Sequence, residues 1–310
     1  MGSTSWTAGL DIEHAWRAAN MRRASCGWAR GLRFSFRALT LSALLFQIAC
    51  LPASAATAKH VDSAQLNGAL HAWAGFPVQR SPRLLVLLHG YVLGPEDGFP
   101  TTASKDAYGN GEIVAPTSWP AAPASSMGYP IVRASAAFKK LTTSRTSSHP
   151  VGTPPPLSTT GVQLGTGQFL TDRGNRTLPA WLFSLSGVEN PAKVLAVAQS
   201  AIYSAPATNG GTSPAQLSAT IGAGGRRLVA NFAGAPAGTG QCTAGYSILV
   251  KESKQAVAVL VVSHPHGGPH AQCFKQAYSR QATAKLAVPL GARVVVDASN
   301  KGAASVTYAR

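Results

Sequence analysis

The chain has 310 residues, and its 27 Lys and Arg against 11 Asp and Glu give a formal net charge of +16 at neutral pH. Only 12% of residues are charged, and past residue 55 the only adjacent cations are Lys139-Lys140 and Arg226-Arg227. Without a basic stripe interleaved with aromatics no nucleic-acid partner is expected, and 31 Gly and 21 Pro exclude long helices over most of the chain.

Arg30, Arg33 and Arg37 lead into an apolar run from Ala38 to Leu51 that ends on Ala53-Ser54-Ala55. A basic stretch, an apolar stretch and a small-residue site in that order predict a secretory signal peptide over residues 1–55, cleaved after Ala55. The apolar run is shorter than the roughly 20 residues that cross a bilayer, and no second run follows, so the mature chain is expected to carry no transmembrane helix. Asp11 and Glu13 are out of place in a signal, and residues 1–20 read as a misassigned extension ahead of Met21. Arg22-Arg23 raises the twin-arginine route, against which the following Ala24-Ser25-Cys26 stands. Cys50 is readable as a lipoprotein acylation site, but Gln47 occupies a position where an aliphatic residue is expected, so cleavage after Ala55 is favoured. The expected location is secreted or associated with the cell envelope.

Past Ala55 the chain holds 21 cations and 9 acids, a net charge of about +12. A diffuse positive field predicts retention near anionic cell-envelope polymers or lipid headgroups; a plain soluble basic surface is the simpler alternative. Of four cysteines, Cys242 and Cys273 remain, and outside the cytoplasm such a pair is expected to form a disulfide. The absence of a C-x-x-C spacing favours a structural bond.

Asp62 or Ser63 is positioned to cap a helix, with Leu66, Leu70 and Trp73 at helical spacing. Leu84–Leu88 is a short apolar run behind Pro82 and predicts a buried strand. Frequent prolines make residues 56–141 loop-rich, apart from a two-turn helix expected over Ala134–Leu141. Residues 142–156 read as a Ser/Thr/Pro linker, which divides a loop-rich N-terminal region from a β-rich domain over 157–310. There, Leu178–Leu185 is expected to form a strand with Trp181 and Phe183 on one face, and Arg226-Arg227 to open another. Tyr246–Lys251 and Gln255–Val262 predict a hairpin turning at Ser253, with Cys242 opposite His264. Leu286, Val288 and Leu290 alternate and predict a strand, with Val294–Val296 returning against it and Ala303–Arg310 following. The expected fold class is mainly β, with α+β allowed, and a sandwich-like or small barrel-like C-terminal region of immunoglobulin-like size.

Leu88-His89-Gly90 is similar to the His-Gly element of α/β-hydrolases, but no G-x-S-x-G pentapeptide accompanies it. His264-Pro-His266-Gly-Gly-Pro-His270 is the sharpest cluster: imidazoles at i, i+2 and i+6 offer nitrogen ligands for Zn or Cu, with a flexible polar turn as the plainer reading. Gly222–Gly225 and Gly165-Thr166-Gly167 are too short for phosphate loops and lack the following Lys-Ser/Thr. No acid pair stands out for glycoside hydrolysis. Asp172-Arg173-Gly174 reads as an Asx-type turn with Arg176 placed to pair with Asp172, and Trp181 as a core aromatic. The functional alternative for Asp172, Arg173, Arg176 and Trp181 is a charged, aromatic-flanked lip for a ligand carboxylate or phosphate.

Arg83–Leu88 with Gly94–Phe99, then Thr171–Trp181, Pro191–Val197 and Val288–Val296, resemble a group of exported proteins of actinobacteria to which no activity is attached. The resemblance implies an actinobacterial cell and a lack of obvious catalysis, and it carries no site residues. The function expected is therefore non-enzymatic binding or a structural role at the envelope, without a cofactor. The alternatives are a secreted hydrolase with dispersed catalytic residues and a metal-binding module built on the His264–His270 loop.

Overall fold

The first helix starts earlier than its expected cap. In the computed structural model α1 covers Ser54–Ala72, so Asp62 and Ser63 lie inside it rather than at its end. The described residues are 54–143, 155–204, 217–268, 273 and 276–309, with side chains from Asp62 onward; the rest of the export signal, Cys50 and His270 lie outside them. After α1 come β1 (Val92–Leu93), α2 (Thr102–Asn110), β2 (Ile113–Val114), β3 (Ser125–Ser126), β4 (Tyr129–Pro130) and α3 (Ala134–Leu141). Thr101 caps α2 by a reciprocal pair of hydrogen bonds with Ser104, and Gly111 closes it at φ +76°. The helix expected over Ala134–Leu141 is present with those bounds.

The chain continues through β5 (Leu157–Thr171), β6 (Gly174–Leu185) and β7 (Ala192–Leu195), which with β1 and β2 form a five-stranded sheet in the order β1-β7-β6-β5-β2. β2, before the Ser/Thr/Pro stretch, pairs in parallel with the first residues of β5, after it. Both faces of this sheet are covered. Trp181 and Phe183 pack with Ala134, Ala137 and Leu141 of α3 on one side, while Leu178, Ala180 and Phe169 meet Leu85 and Ile202 on the other. A strand buried on both faces reads as a continuous apolar run, as Leu178–Phe183 does. Gly165 and Gly167 belong to this packing: a Cβ would come within 2.7 Å of Leu182 Cδ1 at the first and 2.8 Å of Phe169 Cε2 at the second.

The remaining strands are β8 (Leu217–Ile221), β9 (Arg227–Gly234), β10 (Ala244–Glu252), β11 (Ala256–Pro265), β12 (Tyr278–Lys285), β13 (Val294–Asp297) and β14 (Ser305–Tyr308). They make a three-stranded sheet, β10-β11-β13, and a four-stranded sheet, β12-β9-β8-β14. Val257, Val259 and Val295 of the first sheet and Ala219, Ile221 and Leu228 of the second share one core, so the two face each other as a sandwich. Leu66, Ala69 and Trp73 cover the outer side of the three-stranded sheet against Ala256, Ala258, Val294 and Val296. The chain is thus mainly β, and no sheet among the described residues closes into a barrel.

Three expectations are corrected. Leu84–Leu88 is not a regular strand: Leu84, Leu85 and Val86 are buried and Leu87 and Leu88 half-buried, and the segment makes single bridges, Leu85 to Ile202 and Leu87 to Thr171, as it threads between cores. The β10–β11 hairpin forms, but Gly245 and not Cys242 lies opposite His264. Leu286–Leu290 is a loop and not a strand, because the Arg293 guanidinium gathers its carbonyls. Nη2 donates to Val288 O at 2.8 Å and Pro289 O at 3.0 Å, and Nε to Leu290 O at 3.2 Å. β13 therefore pairs in parallel with β11 instead of returning against that segment.

Candidate functional site

The turn between β5 and β6 is built by a threonine and not by the expected Asx geometry. Thr171 Oγ1 donates to Gly174 O at 2.9 Å and accepts from the Arg173 N–H at 3.1 Å, with Gly174 at φ +77°. This frees the Asp172 carboxylate, 1% exposed, to turn inward, where it takes a two-point ion pair from Arg83. Arg173 Nε stands 4.0 Å from the same carboxylate, and its Nη2 donates to Gly291 O and Arg293 O at 2.9 and 2.8 Å. Arg83 Nε donates to Ala292 O at 3.0 Å. Burial pulls the Arg173 guanidinium below its ordinary value, with Asp172 opposing the shift.

These residues therefore form an internal clamp on the 290–293 loop and not a ligand lip. Arg176 is exposed on β6, opposite Phe169 in register, and takes no part in it. Trp181 is fully buried in the sheet.

Cys242 and Cys273 form the expected disulfide, with Cα atoms 5.4 Å apart. It joins the segment ahead of β10 to the segment ahead of β12 and so staples the two sheets of the sandwich. Two of the three clustered histidines can be followed. His264 Nε2 lies 2.8 Å from Ser247 Oγ, and His266 Nδ1 lies 2.9 Å from Thr243 Oγ1. Each of these rings thus has one nitrogen engaged by a hydroxyl of the neighbouring strand or its lead-in. Among the described residues no three His, Cys, Asp or Glu converge as metal ligands. The Ser247–His264 pair has the contact of a nucleophile with a base, but both residues are exposed and no described carboxylate orients the imidazole.

The concave feature that sequence reasoning missed lies between the β2–β3 loop and the start of α3. It is an open cavity of about 360 Å³ whose walls include Trp119, Ala122, Ile131, Arg133 and Ser135. Trp119 is 39% exposed yet held in place: its ring sits 5.4 Å from Phe138 in an edge-on contact, and Phe138 sits 5.7 Å from the buried Phe183. The opposite wall hangs from the sheet, since Val132 N donates to Ala196 O at 2.8 Å and Trp181 Nε1 to Val132 O at 2.9 Å. Arg133 is exposed at the mouth as the residue preceding α3 and gives that helix no side-chain cap. The only sequence signal here was Trp119 among prolines, which read as loop.

No protein-family model matches this chain, and no curated protein or solved structure is similar to it. No helix among the described residues is long and apolar enough to cross a membrane.

Proposed function

We propose that this chain is an exported actinobacterial protein that binds polyanionic material of the cell envelope. The observation that carries the reading is the division of charge between surface and interior. Among the described side chains, Arg80, Lys105, Arg133, Lys139, Arg176, Arg226, Arg227, Lys251, Lys254, Lys285 and Lys301 are exposed, against only Glu96, Asp97 and Glu189 among the acids. Glu96 pairs with Lys193, and Asp97 takes a hydrogen bond from Asn190. Asp172 and Asp297 are buried, and Glu252 is tied to Arg293. The fully exposed charges are therefore mostly cationic, and their field draws in polyanions over about a Debye length, roughly 8 Å at physiological salt. The signal-like residues 30–55 and the disulfide support a site of action outside the cytoplasm.

The test is co-sedimentation of the secreted protein with polygalacturonate gel, with phosphatidylglycerol vesicles and with phosphatidylcholine vesicles, at low and high salt. Binding to the anionic materials that falls steeply with salt supports the reading, and the gel and vesicle arms tell polymer from headgroup. Equal binding to the neutral vesicles, or none to either anionic material at low salt, overturns it.

A further inference from the structure

We propose that the cavity beside Trp119 binds an acidic pyranose unit of an anionic glycan, with the sugar ring on the indole and its carboxylate on Arg133. This rests on the polyanion reading and names the place where that reading becomes specific. A volume of about 360 Å³ falls within the range of small-ligand sites, roughly 300–1,000 Å³. Pro120, Ala122, Pro123 and Ala134 give the walls an apolar, short-side-chain lining beside one broad aromatic plane, and no Asp or Glu lines the space. Such a lining leaves depth for a puckered saturated ring, whose C–H faces lie against the electron-rich face of an indole. A second aromatic, which would clamp a flat ligand, is absent from the lining.

The polar groups at the cavity are also uncommitted. Arg133 makes no ion pair or side-chain hydrogen bond within the described protein, and neither the Ser135 hydroxyl nor the Trp119 N–H has a protein partner there. The two buried indoles differ: Trp73 Nε1 donates to Lys301 O and Trp181 Nε1 to Val132 O, each at 2.9 Å. A cation, a hydroxyl and an indole N–H around one apolar floor match an anion with ring hydroxyls. Because the tilted Phe138–Phe183 contact and the Val132 hydrogen bonds already fix both walls, binding does not have to order them.

Trp119 also supplies the readout. Of the three tryptophans past residue 55, Trp73 and Trp181 are 2% and 0% exposed, so acrylamide quenching of the secreted protein reports Trp119. Tetragalacturonate is expected to shield Trp119 saturably, and neither neutral maltotetraose nor inorganic phosphate to do so at the same concentration. Arg133→Gln should raise the half-saturating concentration roughly ten-fold, the loss of one charge-assisted hydrogen bond. Ala121→Glu, on the exposed rim, should abolish shielding while leaving the thermal midpoint unchanged, and it keeps the test open if Arg133→Gln disturbs folding. Undiminished quenching at saturating tetragalacturonate, shielding by phosphate alone, or an unaltered Arg133→Gln protein would each overturn the site. If tetragalacturonate leaves Trp119 unshielded while wild type and variants adhere equally to polygalacturonate gel in a salt-sensitive way, the site falls and the polyanion reading stands. If tetragalacturonate shields Trp119 but the gel retains nothing at low salt, the site stands and that reading falls.

Discussion

Trp181 and Val132, forty-nine residues apart, are joined by a hydrogen bond of 2.9 Å from the indole N–H to the carbonyl. The bond runs from the middle of the five-stranded sheet to the residue two before α3, and so fixes one wall of the Trp119 cavity from inside the core. Trp181→Phe keeps the aromatic packing and leaves the Val132 carbonyl without its donor. An orphaned acceptor in this setting costs about 1–3 kcal/mol, to be read from urea unfolding. The Val132 amide, bonded to Ala196 O, should exchange with solvent faster in the variant. Unchanged stability and exchange would mean that the wall is held by other contacts.

The Asp172 clamp separates two residues that the sequence placed together. Asp172→Asn leaves Arg83 and Arg173 half-buried without a counter-charge and should destabilise by about 3–5 kcal/mol. Arg176→Gln, on the exposed face of β6, should stay within about 0.5 kcal/mol of wild type. Thermal or denaturant unfolding of both variants decides the point, and comparable losses in the two would restore the pairing read from the sequence.

What was legible depended on range. α3, the β6 strand with its two buried rings, the hairpin of β10 with β11 and the Cys242–Cys273 pair are local patterns or a choice with one solution, and all are present. The partners of Asp172 and Glu252 are set by tertiary contacts across many residues, Arg83 at 89 positions and Arg293 at 41. Leu286–Leu290 alternates like a strand, yet one buried guanidinium takes up the carbonyls of Val288, Pro289 and Leu290 and holds them in a loop. The parallel pairings of β13 with β11 and β14 with β8 are equally non-local. The cavity was illegible because its aromatic sits in a proline-rich loop with no periodicity, and only the fold brings Arg133 beside it.

The disulfide joins residues 31 apart. On the chain-entropy account, replacing both Cys242 and Cys273 with Ser should cost about 3–4 kcal/mol. Because the bond staples β10 to β12, hydrogen exchange should quicken in those strands and leave β5 and β6 unaffected. Uniform loss of protection across both halves would show instead that the chain unfolds as one cooperative unit.

Glu252 makes a pH-dependent contribution to stability in acid. Burial pushes its carboxyl upward, but hydrogen bonds from the Ala287 N–H at 2.7 Å and Arg293 Nη1 at 2.7 Å, with the charge of Arg293, outweigh this and hold it below its ordinary value. The folded chain therefore releases this proton more readily than the unfolded chain. The stabilisation is complete above the ordinary glutamate value of about 4.3 and is lost as pH falls through the lower native value. Glu252→Gln should cost about 1–2 kcal/mol at pH 7, and the gap between it and wild type should close below about pH 4. Urea unfolding of both proteins at a series of pH values measures that gap. A gap that stays constant into acid would place the anchoring of the Leu286–Leu290 loop on the Arg293 carbonyl contacts alone.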